Sequence, residues 1–203
     1  MTGAAPIPAP ADDLCLNFAN TLAWRGSAAP TEALGSLPNL LDWLAAAGQG
    51  RSPAWFEAAD WSHVQPDGAA RLFAQAFALR EVIFRCCFAV ASGDAVPDAD
   101  LDALNRALAA APPRRRLVQD AGVCAWTAEA AAPSASLLLA PILWSAADLL
   151  ARATLLRVRR CANDTCLWLF VDRSKAGTRR WCDMAACGNR AKAQRHYRNN
   201  RAE

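Results

Sequence analysis

The sequence predicts a mainly α-helical protein in two parts. A multi-helical body over residues 1–155 carries one small β-hairpin, and a small module over residues 156–203 combines a β-hairpin with a helix. Three observations predict this. Apolar residues recur at helical spacing through most of the first 155 positions. The period changes to that of strands only around an Asp120-Ala121-Gly122 turn. The C-terminal stretch carries four cysteines in two pairs and a strong excess of basic charge. Of the 203 residues, 54% are hydrophobic, which supplies a core and excludes a disordered chain. Alanine provides much of that fraction and favours helix.

Asp12 and Asp13 precede a helix that begins near Leu14, with Leu14, Cys15, Phe18 and Leu22 on one face. Ser36-Leu37-Pro38 opens a second helix with proline in its first turn. Leu37, Leu40, Leu41 and Leu44 form its stripe, and Gly48 ends it. Residues 49–66 hold Trp55, Trp61, Pro53 and Pro66, and read as a loop with a short turn of helix. Asp67 heads a long helix to about Ser92. Its broad apolar face includes Leu72, Ala76, Ile83 and Cys87, and Gly93 closes it. A fourth helix starts at Pro97, uses Leu101, Leu104 and Leu108, and stops at Pro112-Pro113. Residues 116–118 and 123–127 make the hairpin. Ser134 or Ser136 starts the last body helix, which runs to about Arg157. Pro141 either kinks it or marks its first turn.

The body shows no Gly-rich phosphate loop, no Ser-His-Asp set and no HExxH, and its one histidine, His63, lies in a polar stretch. The expectation is therefore not an enzyme. Asn17, Asn20 and Thr21 are polar residues in an otherwise apolar first helix. They either line a ligand pocket or bond to neighbouring backbone. The opening MTGAAPIPAP lacks the basic and apolar regions of a secretory signal. The most apolar stretch, 137–150, contains Asp148 and falls short of the about 20 residues that span a bilayer. A cytoplasmic protein with no membrane partner is expected.

Eight cysteines are present. Cys15, Cys86, Cys87 and Cys124 sit in apolar patterns and read as small core residues. Cys161, Cys166, Cys182 and Cys187 form C-x4-C, fifteen residues, then C-x4-C. Two close pairs separated by a hairpin-sized spacer suit one structural Zn²⁺, which takes four thiolates at tetrahedral corners. A closed set of four leaves no position for a reactive water. The spacer 167–181 reads as two strands, LWLFV and TRRW, around a polar tip. The residues after Cys187 read as a helix, completing a treble-clef-like order. An iron–sulfur cluster, disulfides and a redox thiol pair are the alternatives, and His196 is a substitute ligand. Replacing Cys182 with Ser is expected to unfold the module and leave the body's helical signal mostly intact.

The run RRCANDTCLWLFVDRSKAGTRRWCDMAACGNRAKAQRHYR closely resembles the bacterial CGNR zinc finger, through Trp168, Phe170, Asp172, Ser174, Arg180, Trp181, Met184 and Cys187-Gly188-Asn189-Arg190 with Lys192. LCLNFANTL at 14–22 resembles the opening of the ABATE domain that usually precedes this finger, with Asn17 where that family commonly has an acid. The resemblance implies a stress-induced transcription regulator whose finger binds DNA.

Charge supports a polyanion partner. Residues 1–150 hold nine Lys/Arg against fifteen Asp/Glu, a net of −6; residues 151–203 hold thirteen against four, a net of +9. Arg173, Lys175, Arg179, Arg180, Arg190, Lys192, Arg195 and Arg198 are the candidate DNA contacts. RNA is the alternative nucleic acid, and an interaction module without nucleic acid is the alternative function. The body would sense a small ligand or a protein. A homodimer fits a reader of paired half-sites, although no heptad seam is visible.

Overall fold

The computed structural model describes residues 6–8, 13–49, 53–120, 122–127 and 134–193. Helix α1 (Leu14–Ala19) packs against both α4 (Pro66–Ser92) and α7 (Ala140–Ala151) at the centre of the body. Leu16 and Phe18 of α1, Ile83 of α4, and Ile142 and Leu143 of α7 are all but inaccessible there. Each such side chain contributes about 1.5–3 kcal/mol by leaving water.

The helices follow the apolar stripes. Helix α2 (Leu37–Ala46) starts at Ser36, whose hydroxyl accepts from the Asn39 amide at 3.3 Å, and buries Leu37, Leu40, Leu41 and Leu44. Helix α4 runs 27 residues and ends at Gly93. Helix α5 (Asp98–Ala110) packs beside it and buries Leu104. Pro141 lies in the first turn of α7, so it starts that helix and does not kink it. The stretch before it is a separate short helix, α6 (Ala135–Leu138), capped by Ser134. A last turn, α8 (Ala153–Leu156), follows.

Residues 53–64 depart from the sequence expectation. They form a full helix, α3 (Pro53–Val64), where a loop was expected. The two prolines bound helices and do not break one: Pro53 opens α3 and Pro66 opens α4. Tertiary contacts secure α3. Ala58 is fully buried, and the Trp55 indole donates to the Leu41 carbonyl at 2.9 Å.

The expected hairpin is present as β4 (Leu117–Asp120) and β5 (Val123–Thr127), and an unexpected strand joins it. Strand β1 (Pro6–Pro8) pairs antiparallel with β5, giving the order β1-β5-β4. Prolines are tolerated at such an edge, and they hide it from pattern reading. A further short ladder pairs β2 (Leu22–Ala23) with β3 (Thr31–Glu32).

The C-terminal hairpin differs most from expectation. Strand β7 (Leu169–Val171) pairs with β6 (Val158–Arg160), upstream of the first cysteine, and not with residues 178–181. The first cysteine pair is itself the turn between these strands. The Cys161 amide donates to the Trp168 carbonyl at 2.7 Å and extends the ladder into the knuckle. The return stretch bonds elsewhere, with the Ala162 amide donating to the Arg180 carbonyl at 2.8 Å. Val158, Leu169 and Val171 point into the body and belong to the same continuous apolar core as α1, α4 and α7.

Candidate metal centre

Two turns deliver the cysteines. In the first, Asn163 organises the chain. Its carbonyl accepts from the Cys166 amide at 2.9 Å, and its side-chain oxygen accepts from the Thr165 amide and hydroxyl at 3.1 and 2.8 Å. Its side-chain NH₂ reaches the Cys187 sulfur at 3.7 Å, orienting that ligand. In the second, Asp183 caps a π-helical turn, Met184–Gly188, by accepting from the Ala186 amide. The Gly188 amide closes that wide turn on the Asp183 carbonyl at 3.1 Å. The π turn begins within the gap between the two cysteines of the second pair and carries Cys187 back beside Cys182. Residues 189–193 continue as α-helix. A Cβ on Gly188 would lie 2.7 Å from the Met184 sulfur and 3.3 Å from the Trp181 ring.

The four Sγ atoms lie within 4.8 Å of one another, with Cys166–Cys182 at 3.7 Å and Cys182–Cys187 at 3.8 Å. Zn–S bonds of about 2.3 Å at tetrahedral angles require sulfurs about 3.8 Å apart. A disulfide requires about 2.05 Å, and all four cysteines are free. Cys161, Cys166 and Cys187 are buried and Cys182 is half-buried, so the site is closed.

The close sulfurs shift one another's ionisation. Accepting hydrogen bonds from Cys166 and Cys182, Cys161 is held far below the usual thiol range, at about 2. Bonding to Cys161 pushes Cys166 up to about 12, and pushes Cys182 strongly up as well. Thiols this close cannot all ionise alone, and a dication among them reverses that balance. In the body, by contrast, burial pushes the Cys86 thiol up to about 11, and Cys15 and Cys87 are also buried. Cys124 is exposed and is not the core residue the sequence suggested. It faces away from the core because its strand neighbour Ala125 takes the inward position.

The basic residues have unequal surroundings. Arg179 is exposed but held against the finger: its Nε donates to the Trp181 carbonyl at 2.8 Å, its Nη2 donates to the Cys182 carbonyl, and its guanidinium lies 4.5 Å from the Phe170 ring centre. Its amide donates at 3.0 Å to buried Asp172, which also accepts from Ser174. Arg173 pairs with Asp13 of the body at 2.8 Å. Lys175, Arg180, Arg190 and Lys192 are exposed. Arg195, Arg198 and His196 lie outside the described residues. Two further exposed arginines, Arg159 and Arg160 on β6, were missed by sequence reasoning, though the RRC run at the first ligand displays them.

The body residues singled out earlier are also placed. Asn17 is exposed. Asn20 is buried and acts as a one-residue strand partner for β7. Its Nδ2 donates to the Leu169 carbonyl at 2.8 Å, and its Oδ1 accepts from the Leu169 amide at 3.0 Å. Thr21 donates to the Phe18 carbonyl at 2.7 Å and accepts from Arg80 at 3.1 Å.

A closed set of four thiols between a knuckle and a helix-leading turn, carried on a helical body, defines a protein with a structural zinc finger. The ABATE family profile, described as "Putative stress-induced transcription regulator", matches residues 12–153, and the CGNR zinc finger profile matches residues 157–200. The chain belongs to the ABATE family, and its cysteine module is a CGNR zinc finger that holds one structural zinc. Both are regulator and zinc-finger types and not enzyme families. No match is found among curated proteins. Among the described residues, no helix is long and apolar enough to cross a membrane.

Proposed function

We propose that this protein regulates transcription in the cytoplasm by binding DNA through the basic face of its zinc finger. Its helical body receives the signal, from a small ligand or a protein partner. The observation that carries this reading is the exposed set Arg159, Arg160, Lys175, Arg180, Arg190 and Lys192, gathered on a segment that the four cysteines clamp. Guanidinium groups suit phosphate and guanine edges because they donate paired, in-plane hydrogen bonds. Zinc supplies the rigidity: a segment with so small an apolar cluster needs the metal to hold its cations in place. A homodimer reading paired half-sites belongs to the same proposal.

Fluorescence anisotropy of a labelled duplex against the zinc-loaded full chain, at two salt concentrations, tests it. About six phosphate contacts should give a log–log salt slope of roughly −5. Arg190→Ala with Lys192→Ala should weaken binding and flatten that slope by about two. No binding at low salt would sink the proposal. Binding of single-stranded RNA in preference to the duplex would move it to the RNA alternative.

A further inference from the structure

The cation at the end of the Cys-Gly-Asn-Arg run is not presented by the finger alone. The Arg190 guanidinium lies over the indole of Trp24, 4.6 Å from the ring centre, and Trp24 belongs to the body, 166 residues upstream. Trp24 also packs on the cysteine cluster itself, opposite in sequence origin to Trp181, which packs there too. Trp181 in turn lies beneath Arg180, at 5.4 Å. Two exposed arginines beside the metal centre thus rest on two tryptophans seated against it.

The turn that carries Trp24 is built to stay put. Trp24 has φ 56, a left-handed conformation that a bulky residue adopts only where its surroundings enforce it. Next to it, Arg25 is anchored in the body. It reaches Glu81 through two bonds of 2.6 and 3.0 Å, the Ala19 carbonyl at 2.9 Å, and the face of Phe84 at 3.9 Å. Beyond that, the Gly26 amide donates to the Thr165 carbonyl of the knuckle at 3.2 Å. A Cβ at Gly26 would fall 1.9 Å from the Asp164 carbonyl oxygen, so only glycine permits this approach. One turn of the body therefore grips both the core and the metal knuckle, and lays an aromatic face under Arg190.

We infer that the turn at residues 24–26 is part of the nucleic-acid interface, with Trp24 positioning Arg190 for a backbone phosphate. This rests on the DNA-binding reading above and deepens it: the binding surface is a composite of body and finger. A guanidinium stacked on an indole keeps its in-plane N–H groups pointing outward. Holding it there removes the rotamer entropy that a free arginine loses on capture. The finger by itself lacks this support.

The test is a double-mutant cycle on labelled duplex DNA with the full-length, zinc-loaded chain. Trp24→Leu keeps apolar volume against the cysteines but removes the ring face, and Trp24→Phe restores a face. Zinc stoichiometry is measured on every variant. Arg190→Ala and Trp24→Leu should each lower the salt slope by about 0.9. In wild type, that one contact is worth about three- to fourfold in affinity over a fourfold change in salt. The pair together should cost little more than Arg190→Ala alone, because both remove the same contact. Trp24→Phe should recover most of the binding. Wild-type affinity and slope in Trp24→Leu, or losses that add to those of Arg190→Ala, would overturn the inference while leaving DNA binding standing. An absence of binding by the wild-type chain would overturn both.

Discussion

The helical body and the zinc finger are both compact, but they are held by different forces. The body buries Phe18, Leu16, Ile83, Ile142 and Leu143 almost completely, so apolar burial holds it. Among the described residues, the finger's own apolar cluster is Cys161, Cys166 and Cys187, with Trp24, Trp181 and Cys182 against them, and one of those tryptophans is borrowed from the body. A cluster that small cannot offset the entropy of ordering its chain without a metal. The finger also borrows a floor. Its β6–β7 hairpin lends Val158, Leu169 and Val171 to the body's core, and Asn20 of α1's end bonds to Leu169. The contrast teaches that a domain can be distinct in chemistry and in family and still share a core with its neighbour.

The largest effect is expected from the metal ligands. Cys161→Ser should abolish stoichiometric zinc binding, which supplies about 10–16 kcal/mol of apparent folding energy in finger peptides. Because the hairpin shares the body's core, the damage should extend further than the sequence suggested. Hydrogen exchange should show lost protection in β6 and β7 and also in α1 and the part of α4 that packs on β6. If α1 and α4 keep full protection, the shared core carries no coupling.

Next comes the floor itself. Leu169→Ala should cost about 2–5 kcal/mol in denaturant unfolding, as for other buried leucines. It should also weaken zinc retention, although Leu169 belongs to the body's core and not to the cysteine cluster. Asn20→Leu is smaller. It leaves the buried Leu169 amide and carbonyl without partners, at about 1–3 kcal/mol. Asn20→Asp should fall near the same range, because a carboxylate cannot donate to the Leu169 carbonyl. Stability equal to wild type in both Asn20 variants would remove the side-chain bridge from the account.

The smallest effect sharpens the other side of the comparison. In the body, Arg85 holds the Asp100 carboxyl below its usual range through hydrogen bonds of 2.6 to 3.0 Å. A depressed carboxylate stabilises the fold above its unfolded pKa of about 3.9, and that contribution is lost as pH falls through the lower folded value. Arg85 is half-exposed, so the pair is worth only a few tenths to about 1 kcal/mol. Asp100→Asn should lower stability by that amount at neutral pH, and the difference from wild type should vanish once pH has fallen below the depressed folded value. A difference that persists in acid would mean that the substitution acts through packing.

Much of this was legible in the residues. The spacing of Cys161, Cys166, Cys182 and Cys187 announces a four-thiolate site because ligand chemistry is local and leaves a local pattern. The stripes of α2 and α4 announce helices for the same reason. Helix α3 was not legible, because Pro53 and Pro66 stand at the starts of α3 and α4, where prolines are as natural as in loops. Strand β1 was hidden for a different reason: an edge strand of three residues carries no period. The pairing of β7 with β6 was missed because a tip rich in turn residues, 172–177, suggested a hairpin where the chain only makes a loop bonded to Asp172.

By itself the sequence determined which residues could be core, which four could hold zinc, and where the positive charge lies. Each of these depends on side-chain type and near-neighbour spacing. Only the tertiary structure decided that Trp24 lies under Arg190, that Asn20 completes the edge of β7, and that Arg179 is bonded to the Trp181 and Cys182 carbonyls. Those outcomes depend on contacts between positions far apart in the chain, and periodicity carries no information about them.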